Sequence, residues 1–197
     1  MKEVLFVILN DYADWEGAFL ASSLSMGVLP DSEMKYRVKT VAPVLEPVRS
    51  LGGLHTLPDY DFASMPEDYA ALVLIGGTSW QTPEAEPVAE IVGRAVRNGK
   101  TVGAICNAAS FLCAHGFLNN VKHTGNTLSQ LQLWGGKAYT NPEGYVEAQA
   151  VSDSGIVTAN GTGYLEFTRE ILLSLSADTP ERIAFSYDFY KNGLVRQ

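Results

Sequence analysis

Short apolar runs alternate with amphipathic stretches along most of this 197-residue chain. Apolar runs of about four to eight residues between turn residues are typical of buried strands, whereas a 3.6-residue apolar period is typical of helices. This pattern predicts strands at 4–9, 36–42, 70–75 and 101–105, and helices at 14–27, 87–98 and 164–175. Such alternation favours an α/β fold with a mainly parallel central sheet and helices on both faces.

Smaller elements are predicted between these segments. Turn residues and short apolar runs indicate two hairpins and a short helix: 48–58 around Gly52-Gly53, 145–159 over Asp153-Ser154-Gly155, and 128–134. No internal repeat, low-complexity segment or linker interrupts the order of elements. We therefore predict one domain that spans residues 1–197.

Two helix starts carry capping signals. Asp14 is the predicted N-cap of the first helix. Asp178-Thr-Pro-Glu181 has the spacing of a capping box and opens an extra C-terminal helix at 178–192. The aromatic residues of that helix cover more than one face. Two interpretations stay open: the helix packs on its own domain, or it contacts a second copy or covers a crevice.

The charge pattern excludes several classes of partner. The chain has 14 Lys and Arg against 22 Asp and Glu, a formal charge of −8, and its basic residues are scattered singly. Nucleic-acid binding needs a basic stripe, so no nucleic-acid partner is predicted. The first apolar run, 4–9, is too short to span a bilayer and lacks a signal-peptide cleavage site. We therefore predict no membrane contact.

The cysteines indicate a reducing compartment. Cys106 and Cys113 lie seven residues apart on one predicted helical segment. Seven residues of helix rise about 10 Å, more than the Cα separation of about 7 Å that a disulfide allows. Reduced thiols and a cytoplasmic location are the prediction. The sequence shows neither a CxxC pair nor metal-ligand spacing, so we predict no metal and no cofactor.

Cys106 ends the apolar run 101–105 and begins a short helix that closes at Gly116. A cysteine at such an elbow lies against the first free N–H groups of the helix. That position favours the reactive thiolate. A buried structural cysteine fits the same residues, because free cysteine behaves as a small apolar side chain. Residues 102–107 alone leave both interpretations open.

Candidate chemistry also follows two other predicted strands. Glu16 comes after the first strand, and Gly76-Gly77 directly follows the strand that ends at Ile75. Because the carboxyl ends of parallel strands open into one crevice, these residues and Cys106 are expected to meet. The glycine pair and the Asn107 N–H could form an oxyanion hole, or the pair could be a tight turn. Glu16 either serves the helix N-terminus or shares a proton with Cys106.

These residues carry a family resemblance. The segments 14–18, 72–77 and 103–106 occur in the order and spacing of the ThiJ/PfpI superfamily, which has the class I glutamine amidotransferase-like fold, and 153–167 resembles its closing hairpin and helix. The resemblance implies a flavodoxin-like three-layer sandwich, a nucleophilic Cys106 with Glu16 beside it, and an oxyanion site at the N–H groups of Gly77 and Asn107. It also implies a homodimer, since relatives are often dimers.

The chain departs from the family pattern at the histidine. Peptidases and amidases of the family generally carry a histidine directly after the cysteine, or one about twenty residues later. Here these positions are Asn107 and Asn126, and His123 lies three residues before the second one. On a strand, His123 and Asn126 would face opposite sides unless Gly125 reorients the segment. Both remain candidate site residues.

Three functions compete at this stage. The first is a cysteine-dependent hydrolase or lyase that acts through Cys106 on a small amide or carbonyl adduct. The second is a redox sensor or stress-protective protein without turnover, in which Cys106 oxidises to a sulfinic acid. The third is a non-catalytic binding module. A missing histidine disfavours proteolysis and glutamine hydrolysis, because the amine leaving group then lacks its usual proton donor.

Overall fold

A computed structural model describes residues 1–193 and has a seven-stranded central sheet with a separate two-stranded hairpin. In chain order the strands are β1 (Lys2–Val7), β2 (Tyr36–Ala42), β3 (Val48–Arg49), β4 (His55–Thr56), β5 (Tyr60–Asp61), β6 (Ala71–Leu74), β7 (Thr101–Ile105), β8 (Ala150–Asp153) and β9 (Ile156–Ala159). The order across the sheet is β5-β2-β1-β6-β7-β9-β8, with β8 the one antiparallel strand, and β3 pairs with β4 in the hairpin.

Six α-helices and two short 3₁₀ turns connect these strands within the described residues. The helices are α1 (Asp14–Met26), α2 (Glu86–Arg97), α3 (Asn107–Ala114), α4 (Leu128–Gly135), α5 (Tyr164–Ser174) and α6 (Pro180–Asn192), and the 3₁₀ turns are Gly136–Ala138 and Pro142–Gly144. Helices α2, α3 and α4 cover one face of the sheet, and α1, α5 and α6 cover the other. The predicted α/β fold with a mainly parallel sheet is confirmed.

The alternation of side chains along β1 shows how one strand supports both layers. Leu5 and Val7 belong to the apolar core under α2 and α3, while Val4 and Phe6 belong to the core under α1 and α5. All four are buried. Because a strand covered on both faces has no solvent side, it reads as a continuous apolar run, which is how it was recognised in the sequence.

The strand register brings four carboxyl ends to one edge. Val7 pairs with Leu74, and Leu74 with Ala104, so β1, β6 and β7 end together. Ile105 pairs with Ala159, and the Cys106 N–H donates to the Ala159 carbonyl oxygen at 2.9 Å. The segments that leave these four strands therefore converge on a single crevice.

Two predicted caps are wrong. Ala13 is the N-cap of α1, and the Asp14 carboxylate instead accepts the Gly52 N–H at 2.8 Å, which holds the β3–β4 hairpin against the helix. At α6 the cap is Thr179, whose hydroxyl accepts the Arg182 N–H. The Asp178 carboxylate instead accepts hydrogen bonds from the Ser32 hydroxyl at 2.5 Å and the Arg182 Nε at 3.1 Å.

Helix α6 packs on its own chain through α5. Ile183 is buried, and the Glu166 carboxylate accepts hydrogen bonds from the Tyr187 hydroxyl at 2.7 Å and the Lys191 ammonium at 2.8 Å. Phe185 keeps half of its surface exposed on the outer face. Among residues 1–193, no helix has the length and apolar character needed to cross a membrane.

Candidate active site

Cys106 occupies a strained turn between β7 and α3. Its backbone has φ 60° and ψ −126°, in the left-handed region that non-glycine residues rarely adopt. Such a conformation costs about 1–3 kcal/mol and is typical of functional sites. Gly103 lets α5 approach β7 closely, since a Cβ there would lie 2.7 Å from the Ile171 Cδ1. The half-buried sulfur is thus fixed at the start of α3.

Glu16 lies in the first turn of α1 and is only 1% exposed. Its carboxylate occupies the space that a side chain at Gly76 would need. On the other side, a Cβ at Gly161 would lie 3.0 Å from the Cys106 Sγ and 3.1 Å from the Glu16 Oε1. Two glycines therefore make room for the Glu16 carboxylate and the Cys106 sulfur to lie side by side.

The electrostatics of this pair follow from its burial. Burial raises the pKa of the Glu16 carboxyl to about 7, against the effect of hydrogen bonds from Cys106 and the Gly76 backbone. Burial and then the Glu16 charge raise the pKa of the Cys106 thiol to about 11, which Asn126 and the Asn107 N–H oppose. The prediction that the elbow lowers the thiol pKa is therefore wrong for the resting site. Between about pH 7 and about pH 11 the pair holds one proton.

The Glu16 Oε2 adds a second sign of proton sharing. This oxygen is buried and has no hydrogen-bond partner among the described residues. A buried, unpartnered carboxylate oxygen is costly, and protonation of the carboxyl removes most of that cost. The environment thus favours a neutral Glu16 more than an exposed glutamate would experience.

Asn126 reaches the sulfur. Its Nδ2 lies 3.4 Å from the Cys106 Sγ, and its Oδ1 accepts the Gly161 N–H at 2.9 Å. The second bond fixes which end of the amide faces the cysteine, because a backbone N–H can only donate. The residue at the family's histidine position is therefore a hydrogen-bond donor to the sulfur and cannot take its proton.

A chain of amides extends from Asn126 into α4. The Asn107 Oδ1 accepts hydrogen bonds from the Asn126 Nδ2 at 3.3 Å and from the Gln130 Nε2 at 2.7 Å. The Asn107 Nδ2 donates to the Gly77 carbonyl oxygen at 2.8 Å. All these side chains are neutral, so the wall around the sulfur is polar and carries no charge except that of Glu16.

Gly77 lies in a tightly packed turn that follows β6. A side chain there would overlap the Asp11 carbonyl oxygen, so only glycine fits. The neighbouring Gly76 carbonyl accepts the Ala13 N–H at 2.9 Å, and the Thr78 N–H donates to Asp11 at 3.2 Å. Within residues 1–193 the Gly77 N–H has no acceptor of its own. This N–H is the one that the predicted oxyanion site would use, and Gly77 itself is buried.

His123 is not brought to Cys106. The ring is fully buried, with Nδ1 2.9 Å from the Val121 carbonyl oxygen and Nε2 2.7 Å from the Tyr139 hydroxyl. A carbonyl can only accept, so Nδ1 carries the hydrogen and Nε2 accepts from tyrosine. Burial lowers the pKa of this imidazole. Of the two candidates in this segment, Asn126 contacts the sulfur and His123 supports the fold.

Sequence reasoning missed Gly161 and Gln130. Gly161 follows β9, the neighbour of β7, so the rule that identified Gly77 would have found it once the strand order was known. Gln130 lies on α4 and carries no signal in the sequence. Cys113 is fully buried with its sulfur 3.2 Å from the Leu131 carbonyl oxygen, and burial raises the pKa of its thiol to about 12.

The fold is an α/β domain whose mainly parallel sheet carries helices on both faces. At the carboxyl ends of its strands, a cysteine at a strained elbow lies beside a buried glutamate. The model of the DJ-1/PfpI family matches residues 2–174. The chain belongs to this family, and the predicted resemblance is confirmed. The match ends before α6.

Individual relatives cover nearly the whole chain. "Uncharacterized protease YdeA" of Bacillus subtilis (strain 168) is 42% identical over 185 residues, which cover 93% of this chain and 88% of the relative. The crystal structure of a thiJ/pfpI family protein from Bacillus anthracis has a TM-score of 0.92 at 30% identity and covers 98% of this chain and 92% of that one. The crystal structure of the DJ-1 superfamily protein Atu0886 from Agrobacterium tumefaciens has a TM-score of 0.85 at 35% identity, and the match covers 98% of this chain and 100% of that one.

Proposed function

We propose that this protein is a cysteine-dependent hydrolase or lyase that acts on a small amide or carbonyl adduct through Cys106. The observation that carries this proposal is a cysteine at a strained elbow with the buried Glu16 carboxylate beside its sulfur. The family membership and the relatives named as proteases are consistent with a hydrolase-like role.

The first step uses Glu16 as the proton acceptor. The Cys106 sulfur attacks the substrate carbonyl carbon, the new S–C bond forms, and the thiol proton passes to Glu16. The electron pair of the broken C=O π bond moves onto the oxygen, where the N–H groups of Gly77 and Asn107 stabilise the charge. A carboxyl with a pKa near 7 suits this exchange at neutral pH.

The second step returns the same proton. The C=O bond re-forms, the bond to the leaving group breaks, and the leaving group takes the proton from Glu16. In a hydrolase, water then adds to the thioester carbonyl carbon and gives one proton to Glu16. The C–S bond breaks, the sulfur takes that proton back from Glu16, and the carboxylic acid is released. Asn126 donates to the sulfur throughout but moves no proton. The proposal therefore favours carbonyl adducts over peptide bonds, since an amine depends on Glu16 alone.

A substrate panel with matched variants tests this proposal. Turnover of small amides and of carbonyl adducts is measured for the wild type, Cys106→Ser, Glu16→Gln and Cys113→Ala. We expect Cys106→Ser and Glu16→Gln to lose more than about 100-fold in kcat, whereas Cys113→Ala keeps its activity because its thiol lies in the core. Full activity in Cys106→Ser would contradict the proposal.

A redox sensor is the second candidate, and one observation favours it. The sulfur receives a hydrogen bond from the Asn126 amide at 3.4 Å, the Asn107 N–H favours its anionic form, and both groups are donors of the kind that stabilise a sulfinate. The His123 imidazole is held elsewhere by Val121 and Tyr139. Hydrogen peroxide is the oxidant: two equivalents add two oxygens to the sulfur and release two waters. Mass spectrometry after mild peroxide treatment decides, and an unmodified Cys106 would exclude the sensor.

The remaining sequence predictions stay proposals: one domain over residues 1–197, a small-molecule substrate, a cytoplasmic location and a homodimer. Each of these four predictions needs its own measurement. A single cooperative urea transition followed by two probes tests the single domain.

A further inference from the structure

An open depression of about 870 Å³ lies between two loops next to the candidate site. Residues 125–129 form one wall, Tyr145 and residues 147–149 line the other, and Asn160 completes the lining. The Asn160 N–H donates to the Gln149 carbonyl oxygen at 3.1 Å, so the lining is tied together by the backbone. The depression is thus a built feature of the fold.

Two lining residues connect this depression to the sulfur. Asn126 lines it and donates its amide to the Cys106 Sγ at 3.4 Å. Asn160 directly precedes Gly161, where a Cβ would lie 3.0 Å from the same sulfur. A substrate bound covalently to Cys106 therefore has this depression as adjoining space for its remaining part.

The lining has a distinct charge character. Glu147 is its one charged residue, and the rest are neutral polar or apolar residues with the half-buried ring of Tyr145 among them. None of the ion pairs in residues 1–193 includes Glu147. Glu147 is exposed, and it shares the lining with the aromatic side chain of Tyr145. A carboxylate without a cation partner and an aromatic side chain in one lining are a combination that recognises an ammonium or guanidinium group.

We propose that the depression binds a positively charged group of the substrate and that Glu147 is its specificity-determining residue. This inference rests on the proposed function, because it takes Cys106 as the reacting atom. Anionic substrates are disfavoured, since the depression offers them a carboxylate and no cation.

Charged methanethiosulfonates of opposite sign test the proposal without an assay of turnover. Each reagent forms a disulfide with the Cys106 sulfur and releases methanesulfinate, and peptide mass spectrometry gives the rate at that cysteine. The trimethylammonium-ethyl, sulfonatoethyl and neutral methyl reagents are compared in the wild type, Glu147→Gln and Glu143→Gln. Glu143 is exposed on the same loop and outside the lining, so it controls for net charge.

We expect the cation-to-anion rate ratio to fall about fivefold in Glu147→Gln and less than about twofold in Glu143→Gln, because only Glu147 belongs to the lining of the depression and Coulombic effects weaken with distance and screening. The neutral reagent should react at the same rate in all three proteins. Equal ratios in the two variants would overturn this inference and leave the proposed function standing. Failure of the neutral reagent to modify Cys106 at all would overturn both.

Discussion

At the residue scale, the central feature is a carboxyl that the fold keeps from water. Glu16 is 1% exposed and its pKa is raised from 4.5 to about 7. At a pH between these two values, the Glu16 carboxyl therefore holds a proton in the folded protein that it has lost in the unfolded chain. A group whose pKa is raised on folding stabilises the protein at low pH relative to high pH. The stability contribution is complete below 4.5 and is lost as the pH rises through about 7.

Replacement of Glu16 by glutamine removes this loss of stability at higher pH, because glutamine does not titrate. We expect Glu16→Gln to gain about 2–3 kcal/mol in the free energy of unfolding relative to the wild type between about pH 5 and about pH 8. Urea unfolding of both proteins at the two pH values measures the change. A difference between the two proteins that is the same at both pH values would contradict the buried, raised carboxyl.

Asn126 lowers the pKa of the Cys106 thiol, whereas Glu16 raises it. Its amide donates to the Cys106 Sγ, so its loss removes a bond that favours the thiolate. At a fixed pH near neutrality, we expect Asn126→Leu to alkylate at Cys106 about tenfold more slowly than the wild type. Asn98→Leu, an exposed amide at the end of α2, is the control and should match the wild type. An unchanged rate in Asn126→Leu would show that the amide leaves the thiol unaffected.

At the element scale, strand ends and glycines position the site. The segment after β9 presses Gly161 against both Cys106 and Glu16, although nothing in its sequence distinguishes it from an ordinary turn. Helix α5 packs against β7 because Gly103 has no side chain. The chemistry at Cys106 therefore depends on elements far apart in the sequence.

Gly161→Ala tests this dependence. The added methyl group would crowd the sulfur and the Glu16 carboxylate, so we expect it to reduce Cys106 alkylation more than about tenfold and to destabilise the protein by about 1–3 kcal/mol. Gly93→Ala is the matched control on α2, where the nearest group is the flexible end of Arg97 and alanine favours the helix. Wild-type reactivity in Gly161→Ala would contradict the close packing around the sulfur.

The attachment of α6 is a separate prediction. The Tyr187 hydroxyl donates to the buried Glu166 carboxylate, so Tyr187→Phe should lower the free energy of unfolding by about 1–2 kcal/mol. Tyr190→Phe is the control, since the Tyr190 hydroxyl has no partner among the described residues and its ring stays exposed. Equal thermal stability of the two variants would show that the hydroxyl contributes nothing to the docking of α6.

At the scale of the whole molecule, the sequence predicts the sheet well and the finer contacts poorly. Buried parallel strands read as apolar runs, so β1, β6 and β7 were found within a residue or two of their bounds. The two-residue strand β5 has too little apolar pattern to be recognised. It is held by pairing with β2, which no local pattern encodes.

The candidate site divides in the same way. Gly77 and Cys106 are recognisable because each lies just after a strand, and Glu16 because it opens the helix that follows the first strand; strand ends meet in this kind of sheet. The thiol pKa was predicted in the wrong direction, because burial and the Glu16 charge arise only from the tertiary structure. The amide chain to Gln130 was likewise missed, since side-chain geometry on α4 decides it.

The most direct test of the account is the pH dependence of Cys106 alkylation in the wild type and in Glu16→Gln, with peptide mass spectrometry and Cys113 as the internal reference. If the two side chains share a proton, the wild-type midpoint lies above the free-thiol value of about 8.5, and it falls in Glu16→Gln because the neighbouring negative charge is gone. A midpoint that is the same in both proteins would contradict the shared proton and the mechanism built on it.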